Sequence, residues 1–142
     1  MPTIVSCRDL EAWKVAMEVA VEAFAFAYQL PPAERFEIAS QIRRAAVSIP
    51  SNVAEGQASG PGKRYHNHVR ISLGSLAELE TLVEIVRRRE LVSSDALCRL
   101  DELMQHAGRL MHGLERSIRW RKNIQLGCLI IAGCLAATTV LM

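Results

Sequence analysis

Apolar residues recur along this chain in steps of three and four, the repeat of one face of an α-helix. Leu97, Met104, Met111 and Ile118 return every seven residues, and Leu100, Ala107 and Leu114 do the same three positions on, making the most regular seam in the sequence. This seam predicts a helix capped at Ser94 with Asp95 in its first turn, where oxygen acceptors suit the free N–H groups and the positive end of the helix. Val69, Leu73, Leu76, Val83 and Val86, widened by Leu79, Leu82 and Ile85, predict a helix from about Lys63 to Glu90. Ile38, Ile42, Ala46, Ile49 and Val53 predict another that opens after Pro31-Pro32 and fades at Gly56. Leu10, Trp13, Met17, Ala20, Phe24 and Ala27 predict the first helix, from about Asp9 to Leu30, with Ser6 or Asp9 as its cap.

The breaks between these stripes are short. Pro31-Pro32 stops the first helix, because a proline disfavours helical geometry in the residue before it, and Pro32 fits the first turn of the second. Ala58-Ser59-Gly60-Pro61-Gly62 is the clearest loop, and a lesser break lies at Leu91 to Ser93. Pro50 removes a backbone donor inside the second helix and is expected to kink it, since the periodicity continues through Val53. Gly74 is expected to let a neighbouring helix approach. No alternating strand pattern appears. The fold class is therefore all-α: an antiparallel up-down-up-down four-helix bundle over residues 1–122, followed by a C-terminal hydrophobic helix over 123–142.

Composition agrees and adds one asymmetry. The chain has 142 residues, room for one well-cored domain, and half of them are hydrophobic. All 17 Lys and Arg and all 15 Asp and Glu fall between Arg8 and Lys122, so the last twenty residues carry no charge. Ile124 to Met142, as a helix, spans about 28 Å, near the thickness of a bilayer core. Arg119, Arg121 and Lys122 precede it, with Trp120 suited to an interface. This predicts a tail anchor in the inner membrane with the bundle in the cytoplasm, and in that case the arginines face anionic lipid. The competing reading packs the tail in the central cavity of an oligomer. The first twenty residues show no signal-peptide pattern, and the four cysteines lack CxxC spacing, so reduced thiols are expected.

Three stretches go beyond generic helix: Asp9-Leu10-Glu11-Ala12-Trp13, the run from Ser40 through Arg43-Arg44, Pro50 and Asn52 to Glu55-Gly56, and the run Ser72-Leu73-Gly74-Ser75-Leu76-Ala77-Glu78-Leu79-Glu80-Thr81. Together they resemble the bacterial "four helix bundle protein" family, whose founding members are encoded in intervening sequences of 23S ribosomal RNA genes. The resemblance covers about residues 8 to 118. It implies a small homo-oligomer, typically a pentamer. A distant branch partners a reverse transcriptase and binds nucleic acid, so RNA, DNA or such an enzyme are the partners it implies.

The candidate chemistry is that of binding. Arg43, Arg44, Lys63, Arg64, Arg70, Arg87, Arg88, Arg89, Arg116, Arg119, Arg121 and Lys122 are the candidates for phosphate contact. In an antiparallel bundle the start of the third helix and the end of the fourth share a pole, which gathers Lys63 and Arg64 with the cluster from Arg116 to Lys122. Arg43, Arg44, Asn52, Glu55, Glu78 and Glu80 are the candidates for polar contacts between helices, with an arginine of the second helix pairing a carboxylate of the third or bridging subunits. His66 with His68, and His106 with His112, lack the i, i+4 spacing of a helical metal site, and no Glu-x-x-His di-iron pattern occurs. Gly60-Pro61-Gly62-Lys63 lacks P-loop spacing and a preceding strand. No metal, cofactor or catalytic residue is expected. The sequence thus leads to a non-enzymatic oligomeric adaptor that binds nucleic acid or a nucleic-acid enzyme. The alternative is a membrane-tethered oligomeric scaffold for protein partners.

Overall fold

The computed structural model describes residues 6–139, with side chains through residue 119. Four helices carry the fold: α1 (Glu11–Tyr28), α2 (Ile38–Ala58), α3 (Lys63–Arg88) and α4 (Ser94–Thr139). Short 3-10 turns, Cys7–Asp9 and Pro32–Glu34, precede α1 and α2, and among the described residues there is no strand. The chain is an all-α four-helix bundle. Each helix packs on its two neighbours in sequence order, and α4 closes against α1.

Antiparallel pairing is visible in the polar ties. Ser48 and Ser75 hydroxyls meet at 2.7 Å, the Ser72 hydroxyl donates to the Ile49 carbonyl at 2.8 Å, and His68 Nδ1 lies 3.2 Å from Asn52 Oδ1, so α3 descends as α2 ascends. The core they bracket is almost wholly aliphatic. Val19, Phe26, Ile42, Ile49, Leu79, Val86, Leu100 and Met111 are sealed from solvent. Every buried apolar group removed from water contributes about 25 cal/mol per Å², so this cluster is the main source of stability.

The α2, α3 and α4 seams face this core as their periodicity requires, with Ile85 turned outward. The α1 stripe does so only in part. Its Leu10, Ala20 and Ala27 are buried, together with Ala12, Val15, Ala16, Val19, Ala23 and Phe26, whereas Met17 and Phe24 are exposed and Trp13 is only partly covered. The small residues win the inner side because alanines allow close helix approach, and the bulky set is rotated outward. Ser6 caps the Cys7–Asp9 turn in a reciprocal capping box with Asp9, and Leu10 breaks the helix before α1 begins.

Pro50 lies buried inside α2, and the helix continues through it from Ile38 to Ala58. One further expectation changes: the close-approach glycine is Gly56, not Gly74. A Cβ on Gly56 would stand 2.7 Å from Tyr65 Cδ2 and 3.1 Å from His68 Cβ, whereas one on Gly74 meets nothing within 4 Å. Gly60 and Gly62 then turn the chain with φ of 74° and 138°, a region open to glycine, and deliver Lys63 to the first turn of α3. Among the described residues no helix is long and apolar enough to cross a membrane. The anchor expected over 123–142 lies outside the residues whose side chains are described.

Candidate nucleic-acid interface

The end of the bundle where α3 begins is held to α4 by a histidine–carboxylate contact. His66 Nε2 lies 3.2 Å from Glu115 Oε1, and His112 Nδ1 approaches the other oxygen of Glu115 at 3.9 Å. These contacts bring Lys63 and Arg64 to the level of Arg116 and Arg119, with Arg70 two turns down α3. All five cations are exposed. Among the described residues none of them forms an ion pair with a carboxylate. Of the acids at this end, Glu115 and Glu55 are turned to histidines, Glu55 Oε2 sitting 3.6 Å from His68 Nδ1, while Glu11 pairs with Lys14 and Asp9 accepts from the Ser6 backbone. The first N–H groups of α3 have no side-chain cap, since Gly62 precedes them.

The far end has three consecutive arginines and a different electrostatic outcome. Arg87 bonds both Glu84 and Asp101, tying α3 to α4. Arg88 Nε donates to Glu84 Oε1 at 2.7 Å. Arg89 reaches across to Glu34 Oε1 at 2.7 Å, where Glu34 as a residue is only 9% exposed in the Pro32–Glu34 turn. The hydrogen bonds from Arg88 and Arg87 hold the Glu84 carboxyl below its ordinary value, and those from Glu84 and Glu34 raise Arg87 and Arg89 further. Arg87, Arg88 and Arg89 are thus engaged in the protomer's own ion pairs.

The expected pairing of α2 arginines with α3 carboxylates is absent within the protomer. Arg43 donates to the Arg35 carbonyl at 3.2 Å and Arg44 to Ser40 Oγ at 3.1 Å. Glu78 and Glu80 are exposed and make no described contact, because both lie off the inward side marked by Leu76, Leu79 and Val83. Asn52 and Glu55 do reach α3, both through His68. Arg121 and Lys122 lie outside the residues whose side chains are described.

Sequence spacing missed the convergence of His66 and His112 on Glu115, since it compares positions along one helix and these come from two. It missed Glu34, which no local pattern marks. An open groove of about 740 Å³ between α1 and α4 was also unforeseen; Met17, Val21 and Leu103 line it, with Glu18, Glu102 and Arg109 at its margins. Both signs of charge and an open shape make it a surface furrow. Among the described residues no three His, Cys, Asp or Glu side chains are placed to hold a metal ion.

Comparison with known proteins adds a family. No curated protein matches the chain. A solved structure of a protein of unknown function from the S23 ribosomal protein family of Bacteroides thetaiotaomicron superposes with a TM-score of 0.68 at 20% identity, covering 74% of this chain and 95% of that one. At that identity the likeness speaks for the bundle alone. The family model for the 23S rRNA-intervening sequence protein matches residues 8–113, most of the helical body, and the chain belongs to that family.

Proposed function

We propose that this chain is a non-enzymatic, self-associating helical adaptor that binds nucleic acid, or an enzyme working on nucleic acid such as a reverse transcriptase, through the end of the bundle where α3 starts. One observation carries the reading: Lys63, Arg64, Arg70, Arg116 and Arg119 lie toward one end without carboxylate partners among the described residues, while Arg87, Arg88 and Arg89 at the opposite end are paired with acids. A cluster of uncompensated cations attracts a phosphate backbone regardless of sequence and releases its counterions on binding. Filter binding of the full chain to a homopolymer RNA and to duplex DNA, over a range of salt, tests this. Affinity should fall steeply with salt, and the slope should lessen by about one for each of Lys63→Ala, Arg64→Ala and Arg116→Ala that contacts phosphate. Absence of salt-dependent binding to either polymer refutes the reading.

A membrane tether is the second reading. It is favoured by α4, whose backbone stays helical from Ser94 to Thr139 and so leads from the bundle into the uncharged sequence after Lys122. Fractionation with and without residues 123–142 tests it; full-length protein wholly in the soluble fraction excludes the tether.

A further inference from the structure

We infer that the tip where α3 begins is a docking surface for an anionic bilayer: the bundle stands upright on the membrane, and Lys63, Arg64, Arg116 and Arg119 bind the phosphates of anionic phospholipid headgroups. This rests on the membrane tether of the second reading and adds to it the surface of the folded body that meets the lipid.

Height along the bundle carries the argument. His66 Nε2 lies 3.2 Å from Glu115 Oε1, so these two residues stand level on antiparallel helices. Counting outward from them, Arg64 is level with Ser117 and Lys63 with Ile118, both between Arg116 and Arg119. The four exposed cations therefore share one layer about 5 Å deep. α4 runs on through this layer, its backbone helical to Thr139. Arg119 precedes Ile124, where the apolar stretch begins, by five residues, an axial distance of about 7.5 Å. A bilayer has about 5–7 Å of headgroup region on each side of its hydrocarbon core. With Ile124 at the edge of that core, the cations of both helices stand among the headgroups.

The rest of the tip suits a surface of negative charge. The loop joining α2 to α3, Ser59-Gly60-Pro61-Gly62, has no carboxylate and no side chain larger than proline. Gly62 leaves the first N–H groups of α3 without a side-chain cap, so they add donors beside Lys63. The neighbouring acids are engaged: Glu115 faces His66 and His112, and Glu55 faces His68. The opposite end differs, with Glu34, Glu37, Glu90 and Asp95 in and beside its turns and its three consecutive arginines paired. Nucleic acid would use the cations alone. An anionic bilayer uses the cations and the uncharged extension of α4 together, which selects it as the occupant.

The chain has three lysines, Lys14, Lys63 and Lys122, and the first is a built-in reference. Arg99 pairs with Glu22, which sets the level of α1 against α4. On that count Lys14 stands level with Ala107, about 16 Å above Lys63. That exceeds the Debye length of about 8 Å at physiological salt, so Lys14 lies beyond the reach of headgroup charge.

The full chain is inserted into vesicles of phosphatidylcholine alone and of phosphatidylcholine with phosphatidylglycerol, and insertion is checked by flotation. Mass spectrometry then reads how fast a water-soluble amine reagent modifies Lys63 and Lys14. Anionic lipid should slow the reaction of Lys63 about fivefold relative to neutral vesicles, raised salt should restore it, and Lys14 should not change. Arg64→Ala, Arg116→Ala and Arg119→Ala combined should remove the shielding, with helix content by circular dichroism intact. Equal Lys63 rates in both lipids, from a chain that floats with both, overturn the inference and leave the tether standing. A chain that floats with neither removes both. Shielding that survives the triple substitution, or that homopolymer RNA gives and anionic lipid does not, also overturns it.

Discussion

Replacing Gly56 by alanine sets two effects against each other at one atom. Alanine favours helix over glycine by about 1 kcal/mol in a helix interior, so the exchange by itself would stabilise α2. The added Cβ, however, would stand 2.7 Å from Tyr65 Cδ2 and 3.1 Å from both Tyr65 Cε2 and His68 Cβ. Tyr65 is buried and His68 Cβ is fixed to the α3 backbone, so neither gives way freely. Overpacking of this kind costs about 1–3 kcal/mol. The balance is a net loss of about 1 kcal/mol, or a fall in melting midpoint of about 4 °C in a domain of this size. Gly113→Ala is the matched control, because its Cβ meets nothing within 4 Å and only the helix preference remains. Urea and thermal unfolding of both variants, followed by circular dichroism, should give shifts of opposite sign. A Gly56→Ala chain that gains stability as Gly113→Ala does would refute the argument that α2 and α3 touch here through the absence of a side chain.

Arg89→Ala should lower the urea midpoint by more than an ordinary surface substitution does, because it leaves the mostly buried Glu34 carboxylate without its partner. Glu34→Gln should cost less, since the amide needs no cation. Glu84 has its folded-state value lowered, so its contribution to stability is fully present above the ordinary carboxylate range and lost as pH falls through the lowered value; Glu84→Gln should accordingly flatten the acid limb of the stability curve below about pH 4. Substituting Arg87 and Arg88 together by alanine should leave the salt slope of nucleic-acid binding unchanged, while the same change at Arg116 and Arg119 lowers it by about two.

The sequence discloses the bundle because three of its helices keep their large apolar residues on one side. In α4 the seam of Leu97, Leu100, Met104, Ala107 and Met111 is the buried seam. α1 misleads for a physical reason. It carries two apolar stripes, and the eye weights Trp13, Met17 and Phe24 over the alanines, although alanines bring helices closest. The cationic end is legible from antiparallel order alone, which places the start of α3 beside the end of α4. The pairing of Arg87 and Arg88 with Glu84 follows helical spacing, whereas the ties from Arg87 to Asp101 and from Arg89 to Glu34 are not legible, because those acids come from another helix and a turn. No Arg44–Glu78 bridge forms within the protomer, because Glu78 lies off the inward side of α3 and Arg44 bonds Ser40 of its own helix.

Lys63, Arg64, Arg116 and Arg119 occupy one tip of the bundle, whereas the exposed Phe24 and Val47 occupy its flank. Occupancy of one surface therefore leaves the other free. If neighbours stand side by side with their tips aligned, a single polymer crossing the tips meets several weak contacts in succession, each at high local concentration once the first has formed. Grip would then depend on how many copies stand together, and a chain too dilute to assemble would release its ligand without any change at the tip itself.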